Sequence, residues 1–245
     1  MAKKFDFAVL GATGLQGKIV SKDLLKNNYS VLMCGRDKSR VLHLLKNFKK
    51  TSFQYFEAEK VDEMTKIIKH SGAEVVVNCV EGDWNLNILK ACVKAGTNCI
   101  DLGSEIWMTK AQLDMDKQLK QKSIISLTGC GSVPGIGNVM LRYAAEKLDK
   151  IDTIEVGFSW DSNIKKFVVP FSIQSILEEF NDPAPIIKNK IIIKKKPLDT
   201  IQERYFRAIG KEQCFFTRHP ETYTFYKYFK KKGLRNVRFY AGFPK

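Results

Sequence analysis

The chain has 245 residues, of which 44% are hydrophobic, 27% are charged and 11% are aromatic. This balance is typical of a globular protein with a sizeable core, and it excludes a disordered tail, a collagen-like repeat and a disulfide-stapled miniprotein. No apolar run approaches the ~20 residues of a membrane-spanning helix, and the N-terminus lacks the apolar stretch of a signal peptide. We therefore expect a soluble cytoplasmic protein without a membrane partner.

Short apolar segments alternate with amphipathic ones in the first half of the chain. Strands are predicted at residues 5–10, 31–34, 52–56, 74–80, 98–102 and 123–127. Helices are predicted between them at residues 15–26, 37–48, 61–70, 84–95 and 109–121. This alternation indicates an α/β fold, with a doubly wound parallel sheet covered by helices on both faces.

The rhythm changes after residue 129. Helices are predicted at residues 134–147, 172–180 and 221–232, and strands at 151–160, 214–217 and 237–240. A hairpin is predicted from two isoleucine-rich segments, 186–187 and 191–193, that flank residues 188–190. The sequence thus predicts two domains, residues 1–130 and residues 131–245, the second being α+β with antiparallel pairing.

Three glycines follow the first predicted strand and open the first predicted helix, with the spacing G-x-x-G-x-x-G. Gly11 permits the sharp turn, Gly14 lets a pyrophosphate come close to the backbone, and Gly17 lets the helix pack on the strand. Backbone N–H groups at the helix start then favour phosphate. This context predicts a Rossmann domain that binds a dinucleotide, the alternative being a tight turn without a ligand. The other cofactor-binding residues predicted in this turn are Thr13, Leu15 and Gln16.

The end of the second predicted strand indicates the type of dinucleotide. An NAD site has an acidic residue there for the ribose hydroxyl, whereas this chain has Gly35 followed by Arg36. A guanidinium suits a phosphate group, so NADP is favoured over NAD. The alternative is that Arg36 only pairs with Asp37 on the surface.

The carboxyl ends of two later strands are also expected at the ligand-binding edge of the sheet. Asn78, Cys79 and Val80 end the fourth predicted strand, where their backbone would border the cofactor. Asp101 ends the fifth and could orient an amine or a water. The alternative for Asp101 is the capping of the turn that follows it.

Six segments together resemble the saccharopine dehydrogenase family, and they span nearly the whole chain. They are residues 11–17, 75–80, 96–102, 130–138, 171–179 and 219–222. The resemblance implies an NADP-dependent oxidoreductase that transfers hydride at a C–N bond joining two amino-acid-like groups, as in lysine metabolism. It also implies that residues 131–245 bind this small-molecule substrate and form a homodimer.

The same resemblance suggests roles for three polar residues. Asp101 and His219 are the candidate catalytic residues, since reduction of an imine needs a proton donor and the reverse reaction needs a base. Arg218 is the candidate for binding a substrate carboxylate. The alternative for His219 is a structural histidine that caps the helix beginning near Pro220.

Two departures from the family favour a second hypothesis. Val133 stands where family members commonly carry an aspartate before Pro-Gly, and family chains usually run well beyond 245 residues. We therefore also consider a catalytically weak or inactive NADP-binding protein, acting as a sensor or scaffold, whose shortened second domain self-associates.

Residues 186–245 hold 16 Lys/Arg against 4 Asp/Glu, a charge of +12. Such a segment can bind nucleic acid, but no nucleic-acid recognition motif accompanies it, and its aromatic residues recur at helical spacing as in a packed helix face. We expect no nucleic-acid partner. The six cysteines form no C-x-x-C pair and have no zinc spacing with histidine, so we also expect reduced thiols and no metal site.

Overall fold

The structure, a computed structural model, describes residues 4–160 and 173–242. The chain forms two compact units. The first comprises Met1–Gly103 and Trp107–Cys130, and the second comprises Ser104–Ile106 and Gly131–Lys245. None of the helices in the described residues is long and apolar enough to cross a membrane.

The first unit is built on a six-stranded parallel sheet. Its strands are β1 (Phe7–Leu10), β2 (Val31–Gly35), β3 (Thr51–Tyr55), β4 (Val75–Asn78), β5 (Asn98–Asp101) and β6 (Ser126–Leu127). They lie in the order β3-β2-β1-β4-β5-β6, and each neighbouring pair is parallel. The order reverses between β1 and β4, which makes the carboxyl ends of these two strands the switch point where ligands bind in such sheets. The predicted doubly wound α/β fold is confirmed.

Helices cover both faces of this sheet and bury its central strands, such as β1 and β2, on both sides. The helices are α1 (Leu15–Lys26), α2 (Leu42–Asn47), α3 (Val61–Ser71), α4 (Asn85–Ala95), α5 (Ile106–Leu113) and α6 (Asp116–Gln121). Alternate residues of β1 face opposite cores: Leu10 packs in the core that contains residues of α3 and α4, whereas Val9 packs in the core that contains residues of α1 and α2.

One helix of this unit was predicted wrongly. The single helix at 109–121 is instead the pair α5 and α6, separated where the N–H of Met115 bonds to the carbonyl of Gln112 at 3.1 Å. This i→i+3 hydrogen bond forms a turn of the 3₁₀ type, which ends α5. The helix predicted at 37–48 begins as a 3₁₀ turn, Lys38–Val41, before α2.

The second unit has an α+β fold. Its elements are α7 (Ile136–Glu146), β7 (Thr153–Ser159), α8 (Ile173–Asn181), β8 (Ala184–Lys188), β9 (Ile191–Lys195), β10 (Gln202–Phe206), β11 (Gly210–Phe216), α9 (Glu221–Phe229) and β12 (Asn236–Gly242). Ser172, the first residue of the helix predicted at 172–180, lies outside the described residues. The predicted hairpin is present as β8 and β9, which pair in antiparallel fashion.

Strand β12 is the centre of this sheet. It pairs with β7 over residues 236–242 and, among the described residues, also with β11 and with β8. The pairing with β7 is parallel, so the expectation of purely antiparallel pairing is wrong for this strand. Because β12 is hydrogen-bonded on both sides, it is an interior strand of this sheet. The core beside it joins Val237 to Phe225 of α9 and to Ala145 of α7.

Candidate functional site

The glycine-rich turn after β1 is packed closely against the end of β4. Gly11 has a φ of +79°, and a Cβ there would lie 2.7 Å from the carbonyl oxygen of Cys79. A Cβ on Gly17 would lie 2.1 Å from the carbonyl oxygen of Gly11. Gly14 differs from these two, because its Cβ would meet only the Gly11 oxygen, at 3.2 Å. Packing therefore requires Gly11 and Gly17, whereas Gly14 faces open space of the kind that a pyrophosphate needs.

The N-terminus of α1 begins in this turn and has no side-chain cap. Its N-cap is Gly14, and its first turn, which includes Leu15 and Gln16, contains no acidic residue. The first amides of a helix have no intrahelical acceptor, and the helix dipole adds positive potential there. This helix start is suited to binding the phosphates of a dinucleotide.

Arg36 is a free cation directly after β2. Asp37 does not pair with it, since one oxygen of Asp37 accepts the Ser39 amide at 2.9 Å and the Ser39 hydroxyl at 2.6 Å. These hydrogen bonds lower the pKa of Asp37 below its usual range. Within residues 4–160 and 173–242, Arg36 makes no hydrogen bond or ion pair, so its guanidinium is available to a phosphate. The structure thus lacks the surface pair that was the alternative for Arg36.

The side chains at the end of β4 stabilise the turn that follows. Asn78 is buried; its Oδ1 accepts the Val80 amide at 2.9 Å, and its Nδ2 donates to Oδ1 of Asn85 at 2.7 Å. Burial raises the pKa of the Cys79 thiol to about 12, so this thiol is neutral near pH 7. What this segment offers a ligand is therefore mainly backbone.

Asp101 is a buried carboxylate whose two oxygens are both occupied. Oδ1 accepts the amides of Gly103 at 2.9 Å and Gly129 at 3.0 Å, and Oδ2 accepts Nε2 of Gln112 at 2.7 Å. Burial raises its pKa, although these hydrogen bonds oppose that effect. The contacts tie the end of β5 to α5 and to the segment after β6. They favour the turn-stabilising alternative for Asp101 over proton transfer.

His219 is held in a fixed orientation in the second unit. Its Nδ1 is hydrogen-bonded to Oε2 of Glu221, and its ring stacks on Phe239 with centroids 3.9 Å apart and an interplanar angle of 5°. Both members of the pair are buried, with 4% of His219 and 0% of Glu221 exposed. Among the described residues Nε2 has no hydrogen-bond partner. A carboxylate that holds one nitrogen of an imidazole and leaves the other available is the arrangement of a general acid–base.

A second, partly buried carboxyl group, that of Glu179, lies near this pair. Burial raises the pKa of Glu179 to about 7, while the charge of His219 lowers it and that of Glu105 raises it. Within the described residues, Oε2 of Glu179 and Oε1 of Glu221 have no hydrogen-bond partner. Neither glutamate was predicted from the sequence as a functional residue. The spacing of residues along the sequence does not indicate that α8 and the start of α9 lie together.

Arg218 lies in a cluster of acidic side chains. Its guanidinium contacts Glu105 and Glu178 at 3.1 Å and Asp182 at 2.9 Å. A guanidinium already engaged by three carboxylates is poorly placed to bind a substrate carboxylate as well. The structure therefore gives no support to the substrate-binding role expected for Arg218.

The cysteines are all free, and Cys130 is the exposed one. In the part of the chain that the structure describes, no three His, Cys, Asp or Glu side chains are placed to hold a metal ion.

Known proteins resemble this chain in sequence and in fold. Residues 7–127 match the model of the saccharopine dehydrogenase NADP-binding domain. The chain is 25% identical over 208 residues to carboxynorspermidine synthase of Vibrio cholerae, which covers 80% of this chain and 49% of that protein. It is 21% identical over 195 residues to carboxyaminopropylagmatine dehydrogenase of Synechocystis sp., which covers 76% of this chain and 48% of that protein.

Among solved structures, apo saccharopine dehydrogenase (L-Glu forming) of Saccharomyces cerevisiae has the same fold. Its TM-score is 0.76 at 13% identity, over 97% of this chain and 55% of that one. The chain thus spans about half the length of the curated relatives and the solved structure that it matches.

The fold and the glycine turn define the first unit as an NADP-binding domain of the Rossmann type, and the predicted cofactor is confirmed. Residues 7–127 belong to the family of saccharopine dehydrogenase NADP-binding domains. The family resemblance inferred from the sequence is thereby confirmed.

Proposed function

We propose that this chain is an NADP-dependent oxidoreductase that acts on a C–N bond joining two amino-acid-like groups. The observation that carries the proposal is the His219–Glu221 pair, a buried acid–base arrangement in a chain whose first unit is a saccharopine dehydrogenase NADP-binding domain. The named activities of the two curated relatives support the same class of reaction.

The first unit would hold the cofactor with its own backbone and one cation. The turn from Gly11 to Gly17 and the uncapped start of α1 bind the pyrophosphate, and Arg36 binds the 2′-phosphate. The backbone of Cys79 and Val80 borders the remainder of the site. The chemistry that NADPH supplies when bound is the transfer of a hydride.

His219 would hold and move the proton. Reduction of an imine requires a proton at nitrogen, and the reverse reaction requires a base to remove it. Glu221 fixes the ring through Nδ1, which leaves Nε2 as the atom that would exchange the proton. Both oxygens of Asp101 accept hydrogen bonds, so we assign this residue a structural role: it holds the end of β5 in position.

A second candidate function is NADP binding without turnover, as in a sensor or scaffold. Val133, in place of the aspartate common in the family, favours it, and so does the engagement of Arg218 by three carboxylates. Homodimerisation, a cytoplasmic location and a role in lysine metabolism stay predictions. The exposed apolar stripe of Ile136, Val139, Met140 and Tyr143 on α7 is a surface that would suit dimerisation.

Consumption of NADPH in the presence of paired substrates tests the proposed reaction. Each assay combines one amine-bearing compound (an amino acid or a diamine) with one aldehyde or 2-oxo acid. We expect NADPH to be consumed only when both partners are present, with a C–N-linked product detected by mass spectrometry. A protein that binds NADPH but turns over no pair would favour the sensor hypothesis.

A further inference from the structure

Thr13 and Gly35 are in steric contact across the cofactor turn. A Cβ built on Gly35 would lie 2.6 Å from Cγ2 of Thr13, 2.6 Å from its Oγ1 and 3.1 Å from its Cβ. Thr13 is 8% exposed, and Gly35 is the buried last residue of β2. Any side chain at position 35 therefore collides with the side chain at position 13.

Rotation of the Thr13 side chain does not relieve this collision. The Cβ of threonine carries a hydroxyl, a methyl group and one hydrogen in three staggered positions. Two of those positions face Gly35, so every rotamer leaves at least one heavy atom against it.

The backbone does not relieve it either. The Ala12 amide donates to the carbonyl of Cys34 at 2.9 Å, which ties the glycine turn to the end of β2 beside the contact. A Cβ on Gly11 would already be too close to Cys79 on the other side. The turn is thus held between β2 and β4.

We propose that Thr13 is a specificity-determining residue that keeps the end of β2 free of a side chain and so excludes the acidic residue on which NAD recognition depends. Position 35 is where an aspartate or glutamate would accept the ribose hydroxyls of NAD. Without an acidic residue at position 35, Arg36 is the side chain that can contact the 2′ position of the cofactor ribose. Its guanidinium suits a 2′-phosphate. The selection of NADP thus depends on a steric pair, Thr13 with Gly35, as well as on the cation.

The proposal rests on the cofactor site proposed above, but its steric part is measurable without a cofactor. Valine at position 13 keeps two heavy atoms on Cβ and preserves the block, whereas serine has one and can turn it away from Gly35. We expect Gly35→Ala to lower the Tm by about 5 °C in the wild-type and Thr13→Val backgrounds. We expect less than half that loss in the Thr13→Ser background, a coupling that identifies the pair as interacting.

Fluorescence titration with NADPH and with NADH then measures the cofactor preference. We expect Thr13→Ser/Gly35→Asp to shift the ratio of NADH to NADPH affinity at least ~tenfold towards NADH, relative to Thr13→Ser alone. Gly35→Asp in the wild-type background should lose stability without gaining NADH affinity.

Equal stability losses in the serine and valine backgrounds would overturn the steric block. A Gly35→Asp single variant that is stable and binds NADH would overturn the role of Thr13 in specificity. Failure of the cofactor site itself has a different signature, because wild-type protein would then not bind NADPH at all.

Discussion

Replacing Gly14 by valine is expected to abolish NADPH binding while leaving the first unit folded. A Cβ at Gly14 meets only the Gly11 carbonyl oxygen, at 3.2 Å, a tight contact that a shift of a few tenths of an ångström relieves. The valine would fill the space that the pyrophosphate needs beside the start of α1. In the neighbouring Gly17→Ala variant, the new Cβ would lie 2.1 Å from backbone, and we expect loss of stability even without cofactor.

Thermal melts with and without NADPH distinguish these outcomes. At a ligand concentration 100 times Kd, binding stabilises the folded wild-type protein by about 2.7 kcal/mol, which raises its Tm. Gly14→Val should melt close to the wild-type temperature without NADPH and gain nothing when it is added. A Gly14→Val variant that NADPH still stabilises would show that the phosphates bind elsewhere.

Replacing His219 by alanine is expected to lower kcat by about 10²–10⁴-fold, the usual contribution of a positioned acid–base. Glu221→Gln should give an intermediate loss, because the neutral amide can still bond to Nδ1 but forms a weaker hydrogen bond than a carboxylate. NADPH affinity should be unchanged in both variants, since the cofactor residues belong to the first unit.

The assay with paired substrates measures these losses, and a larger loss in His219→Ala than in Glu221→Gln separates proton transfer from positioning of the ring. His70→Ala is a matched control, because His70 lies at the end of α3 in the first unit. Full activity in His219→Ala would exclude His219 as the proton carrier.

Much of the first unit follows from local sequence, because a buried parallel strand and an amphipathic helix each leave a strong pattern. Helix α1 has the bounds predicted, residues 15–26, since the glycine turn fixes its start and Asn27 lies just beyond its last apolar residues. The NADP preference also follows locally, from Gly35 and Arg36.

The remaining features depend on contacts between distant segments. Asp37 is an exception, because it caps the turn at Ser39 through a contact only two residues long, and aspartate is a common N-cap. Strand β10 was not predicted, because its polar sequence becomes a strand only through pairing with β11. The same holds for the second-unit carboxyls: Glu179 lies on α8 and Glu221 on α9, and only the fold brings both near His219.

The central claim is that the first unit binds NADP through the glycine turn and Arg36, and parallel titrations with NADPH and NADH test it most directly. Losing a charge-assisted hydrogen bond to the phosphate costs about 1.5–3 kcal/mol. Wild-type protein should therefore bind NADPH at least ~tenfold more tightly than NADH. Arg36→Ala should lose this preference, whereas Lys26→Ala, at the far end of α1, should keep it. Equal affinities in the wild type, or an unchanged preference in Arg36→Ala, would contradict the assignment.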